Sequence, residues 1–133
     1  NINNWSSEIK YIVDGKLSDE IRNTPKDKGG IYMFYLKGIN LPFSEYYILY
    51  IGRARLTDTE NINKRACHYI YDDRELIKEM FSRWKDQLYY RYYADTENDR
   101  IDRNEILLIR SIFPPYNEQI PDKLDPQIEV KAF

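Results

Sequence analysis

An α+β domain, with a small three-stranded antiparallel sheet flanked by helices, is what the order of apolar patterns predicts. Three runs, residues 31–36, 46–51 and 88–93, are too short for helices and rich in aromatic or branched side chains, as strands are. Between and around them lie apolar residues at helical spacing, which gives the order α-β-β-α-α-β-α. The length of 133 residues suits one domain around one main core. Residues 1–28 read as an N-terminal helical segment, 29–120 as the body and 121–133 as a tail, all within a single domain.

Each element has a local reason. Ile9, Ile12, Val13, Leu17 and Ile21 repeat at helical intervals, interrupted by Gly15, which predicts one helix and a turn or two short helices. The breaker cluster from Asn23 to Gly30 ends that unit. The runs at 31–36 and 46–51 then form an antiparallel hairpin across a long loop containing Gly38 and Pro42. Residues 61–71 look helical. Residues 74–85 give a second helix, with Leu76, Ile77, Met80, Phe81 and Trp84 on one side. After the third strand, Asp95-Thr96-Glu97-Asn98 offers N-cap candidates, and Ile101 to Ile112 continues as a helix until Pro114-Pro115 stops it. Residues 128–133 read as a short edge strand or a disordered end.

Composition narrows the class. The chain is 42% hydrophobic and 32% charged, too apolar for a disordered protein. No run approaches the roughly 18 apolar residues that span a bilayer. One Cys excludes an intramolecular disulfide, and one Cys with one His cannot build a structural zinc site. An intracellular setting, in the cytoplasm or at the nucleoid, is therefore expected. The chain opens with Asn rather than Met, which reads as a piece of a longer protein. The net charge of −2 supplies no global field for a polyanion. Residues 51–92 nevertheless carry nine Lys/Arg against seven Asp/Glu, whereas 95–129 carry four against nine, so a polyanion should meet the middle of the chain.

The chemistry-bearing residues come in a fixed order. Gly30-Ile31-Tyr32 lies on the first strand and Tyr50-Ile51-Gly52 on the second. Arg65, His68 and Tyr69 follow on a helix, Glu105 on the last long helix, and Asn117 just past Pro114-Pro115. In this set the sequence resembles the GIY-YIG nuclease family, over residues 29–117. The spacings depart from the family's compact pattern. Seventeen residues separate the two tripeptides and twelve separate Gly52 from Arg65, so both loops are expected to be extended, which costs a fold little.

The resemblance implies a metal-dependent DNA endonuclease domain with one active site per chain. Phosphodiester hydrolysis needs an oriented water, a base, positive charge for the phosphorane and help for the leaving oxygen. The resemblance makes Glu105 the metal ligand, and a single carboxylate with waters suits Mg²⁺ (or Mn²⁺). Arg65 would hold phosphate oxygens two at a time, a geometry Lys cannot reproduce. Tyr32 is favoured as the base and Tyr50 as the residue positioning water or phosphate. A phenol ordinarily titrates near pH 10, so the base needs a depressed pKa or a metal-bound water to pass its proton through. The helix position after Arg65 is open between Tyr69, four residues on, and His68, three on; both offsets reach the same side. Asn117 would orient the site's hydrogen bonds, and Arg53, Arg55 and Lys64 would contact nucleic acid. Arg74, Arg83 and Lys85 read as solvated charges, Cys67 as helix packing, and Tyr89, Tyr90, Tyr92 and Tyr93 as sheet packing. The implied partner is DNA, duplex or branched, with a homodimer or a further DNA-binding region supplying affinity. The rival from another class is a catalytically silent DNA-structure-binding or interaction module on the same fold; an RNA-directed nuclease is a third reading.

Overall fold

The computed structural model describes residues 4–41 and 44–117. Its main sheet has four antiparallel strands: β1 (Ile9–Lys10), β6 (Tyr89–Asp95), β4 (Gly29–Leu41) and β5 (Ser44–Ala54), side by side in that order. The α+β architecture follows the sequence reading, with one strand more than the three expected. The extra strand comes from the N-terminal segment, where the expected helix over Ser7 to Ile21 is overturned. That segment forms β1, then a small hairpin of β2 (Ile12–Val13) and β3 (Lys16–Leu17), and only one helical turn, α1 (Asp19–Arg22), capped by Ser18. Asp14 and Gly15 have φ of 53° and 76°. Two successive left-handed residues make the tight turn whose twist suits a β-hairpin, and Asp-Gly is its favoured sequence. Gly15 is therefore the corner of a hairpin rather than a flaw in a helix.

The long spacing between the two tripeptides also resolves differently. The expected extended hairpin loop is absent: β4 runs to Leu41 and β5 begins at Ser44, with Leu41 paired to Ser44. The additional residues lengthen the strands, and a register shift beside Phe34 leaves one extra residue, Leu49, on the β5 side. The body holds three longer helices, α2 (Ile62–His68), α3 (Glu75–Trp84) and α4 (Asn98–Ile112). Tyr69–Tyr71 continues α2 as a 3₁₀ turn, and Lys85–Gln87 does the same after α3. The tail from residue 121, with its proposed edge strand at 128–133, lies outside the described residues.

Strand alternation splits the core into two layers. Tyr32, Phe34, Tyr50 and Tyr90 pack with Tyr69, Ile62, Ala66, Ile77 and Met80, joining the sheet to α2 and α3. Ile31 and Ile51, the middle residues of the two tripeptides, face the other way against Ile101 and Ile109 of α4. The Tyr11 hydroxyl donates to the Ala66 carbonyl (2.5 Å) and so fastens the N-terminal segment to α2. Among the described residues, no helix is long and apolar enough to cross a membrane.

Candidate active site

The site forms where the two layers meet, along the β5 edge of the sheet. Tyr32 sits directly opposite Gly52 in the β4–β5 register. A side chain at position 52 would place its Cβ 2.5 Å from Tyr32 Oη and 2.6 Å from Cε1 and Cζ. The glycine of the second tripeptide is thus the space into which the tyrosine of the first extends. Gly30 has φ of 152° and would drive a Cβ into the Tyr93 carbonyl, so it too must be glycine. With the ring laid over Gly52, the Tyr32 hydroxyl reaches the edge strand and donates to the Arg53 carbonyl (3.3 Å). The Arg53 side chain leaves on the opposite face of the strand and pairs with Glu105 of α4 (2.9 Å).

Three phenols cluster at this point. Tyr32 and Tyr69 are hydrogen-bonded hydroxyl to hydroxyl, with ring centroids 5.4 Å apart and edge to face. Tyr50 lies 5.8 Å from Tyr69, and Tyr32 stacks on Tyr90. The structure places Tyr69 in the buried cluster and His68 on the exposed wall of an adjoining hollow of about 310 Å³, beside Thr57, Lys64 and Arg65. Burial pushes the Tyr32 and Tyr69 phenols well above their ordinary pKa, with Arg65 pulling the other way more weakly. Tyr32 therefore lacks the depressed pKa that a standing phenolate base requires.

Arg65 packs beside Tyr69 on the α2 side of the sheet, while Glu105 on α4 pairs with Arg53, the residue after Gly52. The Arg65 guanidinium packs 5.8 Å from the Tyr69 ring centroid, and the Tyr32 phenol beside it holds its pKa up. Its contact with Glu60 is long, at 3.7 Å, and its Nε is buried without a hydrogen-bond acceptor. A buried donor ordinarily has a partner, so this Nε keeps capacity for one further acceptor. Burial raises the Glu105 pKa, while Arg53 foremost, and Arg65 more weakly, draw it back down. Arg53 also approaches Asp102 Oδ1 (3.1 Å), and Arg55 bonds Asp102 Oδ2 (2.5 Å). Of the three cations expected on nucleic acid, Arg53 and Arg55 are thus engaged by acids of α4, and Lys64 alone stands on the hollow.

The residues present fit a hard divalent cation. Glu105 presents a carboxylate that is 14% exposed and charge-balanced by one arginine. Asp102, one turn earlier, already faces Arg53 through Oδ1 and Arg55 through Oδ2, which leaves Glu105 as the carboxylate with an oxygen to offer. No cluster of three His, Cys, Asp or Glu side chains exists among the described residues, so a cation here would keep most of its waters, as Mg²⁺ does.

Asn117 turns out to act on the backbone. Its Oδ1 accepts from Ile51 N–H (3.0 Å) and its Nδ2 donates to the Ile51 carbonyl (2.8 Å), as a neighbouring strand would. Tyr116 N–H adds a bond to the Leu49 carbonyl. Asn98 treats Leu56 in the same two-point way (2.7 and 3.0 Å). Two asparagines therefore hold the outer side of the edge segment between which Gly52 and Arg53 lie. The sequence offered Asn98 only as a cap. Arg74 was missed too: its Nη1 donates to Tyr50 Oη (3.3 Å), although the sequence suggests a solvated charge. Nothing in the local Asp-Asp-Arg-Glu stretch marks it, because the partner lies 24 positions away.

No family model matches the sequence, and no curated protein matches it either. The solved structures identify the architecture: this chain has the GIY-YIG fold. The matches are two structures of the GIY-YIG N-terminal endonuclease domain of UvrC from Thermotoga maritima, one a Tyr→Phe and the other an Asn→Ala point mutant, each bound to its catalytic divalent cation. Each is 20% identical with a TM-score of 0.54, covering 76% of this chain and 93% of that one.

Proposed function

We propose that this chain is a metal-dependent DNA endonuclease domain that hydrolyses a phosphodiester at one site. The observation that carries the reading is the stretch of β5 where the hydrogen-bonded Tyr32–Tyr69 pair lies over Gly52 with Arg65 beside Tyr69, and where the next residue, Arg53, is paired to the Glu105 carboxylate. Arg65 binds non-bridging phosphate oxygens through Nε and its neighbouring nitrogens. Glu105 holds the cation, Mg²⁺ or Mn²⁺, which when bound polarises the phosphate and acidifies its water. Tyr32 and Tyr69 stay protonated at neutral pH, and a proton taken from the attacking water passes along their shared hydrogen bond, each phenol accepting one as it gives up its own, to end on the leaving 3′-oxygen. Tyr50 orients the phosphate or the water. Asn117 keeps Ile51 and hence Gly52 in register beneath the Tyr32 ring. Arg53 balances Glu105 in the metal-free protein.

One site cuts one strand, so a double-strand break takes a homodimer or two successive nicks. With a net charge of −2, non-specific affinity for DNA is weak and salt-sensitive, and specificity comes from another region or a second copy. The test is nicking of supercoiled plasmid with Mg²⁺ or Mn²⁺. Wild type nicks and Glu105→Ala does not, while both melt cooperatively. Undiminished nicking by Glu105→Ala rejects the metal assignment. Wild-type binding to several DNA structures without cleavage in either metal favours the silent binding module.

A further inference from the structure

We propose that Arg74 is a positioning residue of this site, which fixes the Tyr50 hydroxyl as a hydrogen-bond donor toward the substrate, with Asp72 as its anchor. The inference rests on the nuclease reading and sharpens the part Tyr50 plays in it.

Arg74 stands at the start of α3, where an arginine ordinarily extends into water. Here it folds back. Nε and Nη2 form a two-pronged pair with the Asp72 carboxylate (3.0 and 2.9 Å), and the Arg74 backbone N–H bonds the same carboxylate (2.9 Å). The Asp72 carboxyl is held below the usual carboxylate range, chiefly by these Arg74 hydrogen bonds. A bidentate pair occupies one edge of the guanidinium and fixes its plane. The nitrogen left over, Nη1, then points at Tyr50 Oη, and the guanidinium carbon lies 5.8 Å from the centroids of both the Tyr50 and Tyr69 rings. Arg65 stands at the same distance from the Tyr69 ring, so the phenol cluster is flanked by two cations.

The consequence is directional. A phenol oxygen that accepts from an arginine has its own proton free to donate elsewhere, and arginine cannot reverse the bond because it has no acceptor. Tyr50 is thereby set to give a hydrogen bond to a phosphate oxygen or to the attacking water's oxygen, not to take a proton. Tyr32, by contrast, directs its own proton to the Arg53 carbonyl and shares a hydrogen bond with Tyr69, with the Arg65 guanidinium beside both phenols. The two tripeptide tyrosines therefore have different parts, which the residues alone left open.

The test is a double-mutant cycle on metal-dependent plasmid nicking, with Tyr50→Phe, Arg74→Ala and the pair, followed under single-turnover conditions. Each single change lowers the maximal rate about 10- to 30-fold with little effect on half-saturating DNA, and the pair loses no more than either single. Arg74→Lys and Asp72→Asn fall between, since lysine cannot form the two-pronged pair. Losses that multiply, or an Arg74→Ala rate within threefold of wild type, overturn the proposal. The activity-free readout is the Arg74 Nε–H resonance in ¹⁵N-edited NMR: slowed exchange in wild type, lost in Asp72→Asn; fast exchange in wild type overturns the anchored geometry. Wild type that nicks while Arg74→Ala is unimpaired refutes this inference alone, whereas wild type that never nicks refutes the parent reading and this one with it.

Discussion

Replacing Gly52 by Ala tests whether the two tripeptides interlock as described. The backbone at Gly52 is not left-handed, so alanine meets no torsional penalty and slightly restricts the unfolded chain, a gain of about 0.4–1 kcal/mol. Against that stands the collision of the new methyl with Tyr32 at 2.5–2.6 Å, when ordinary contact begins near 3.4 Å. The ring must retreat by nearly 1 Å, yet it is fully buried, stacked on Tyr90 with centroids 5.7 Å apart and edge-on to Phe34 and Tyr69. Overpacking of this kind costs about 1–3 kcal/mol. The net expectation is a loss of about 1–2 kcal/mol in urea unfolding at constant m-value, together with loss of nicking. Tyr32→Phe should not relieve it, because Cε1 and Cζ remain. In a Tyr32→Ala background Gly52→Ala should be neutral or stabilising. An equal cost in both backgrounds, or no cost in wild type, refutes the interlocking.

Two further outcomes follow from the same geometry. Asn117→Ala leaves the N–H and carbonyl of Ile51 without protein partners and should cost about 1–2 kcal/mol in urea unfolding, with nicking reduced further than stability explains; full activity would remove Asn117 from the site. Asp95, bonded first by Arg100 and also by the N–H groups of Thr96 and Glu97, has its carboxyl lowered to about 2. A lowered carboxyl adds stability that is complete above its unfolded value near 3.9 and is lost as pH falls through about 2. Asp95→Asn should therefore cost about 1–2 kcal/mol at neutral pH, discounted because Arg100 is 53% exposed, and should flatten the acid limb of the stability curve between about pH 4 and 2. An unchanged acid limb would contradict this.

How much of this was legible in the sequence depends on the range of each signal. Short aromatic runs and amphipathic stretches are local, so β4, β5, β6, α3 and α4 could be read directly, and the ordered motif pointed to Tyr32, Tyr50, Arg65 and Glu105 as candidates. The N-terminal segment misled because Ile9, Ile12, Leu17 and Ile21 satisfy a helical spacing while Asp14-Gly15 encodes a hairpin, and the turn won once β1 found β6 as a partner. The additional residues between the tripeptides gave a length but not its use; strand pairing, a non-local interaction, placed them in β4 and β5. At the site, Tyr69 rather than His68 meets Tyr32; the two lie about 60° and 40° to either side of Arg65 on an ideal helix, and packing alone decides which of them turns inward. Arg74 and the backbone clamps by Asn98 and Asn117 join positions 24 to 66 residues apart, and no local pattern announces them.

The proposed activity requires Glu105 and the tyrosine cluster to share one cation-assisted site on β5. An anomalous difference map from crystals grown with Mn²⁺ tests it directly. The expected map has a peak about 2.1 Å from a Glu105 carboxylate oxygen, with water-mediated reach toward Tyr32 and with the Arg53 guanidinium drawn off Glu105. A peak at another acidic cluster, with Glu105 still paired to Arg53, would contradict it.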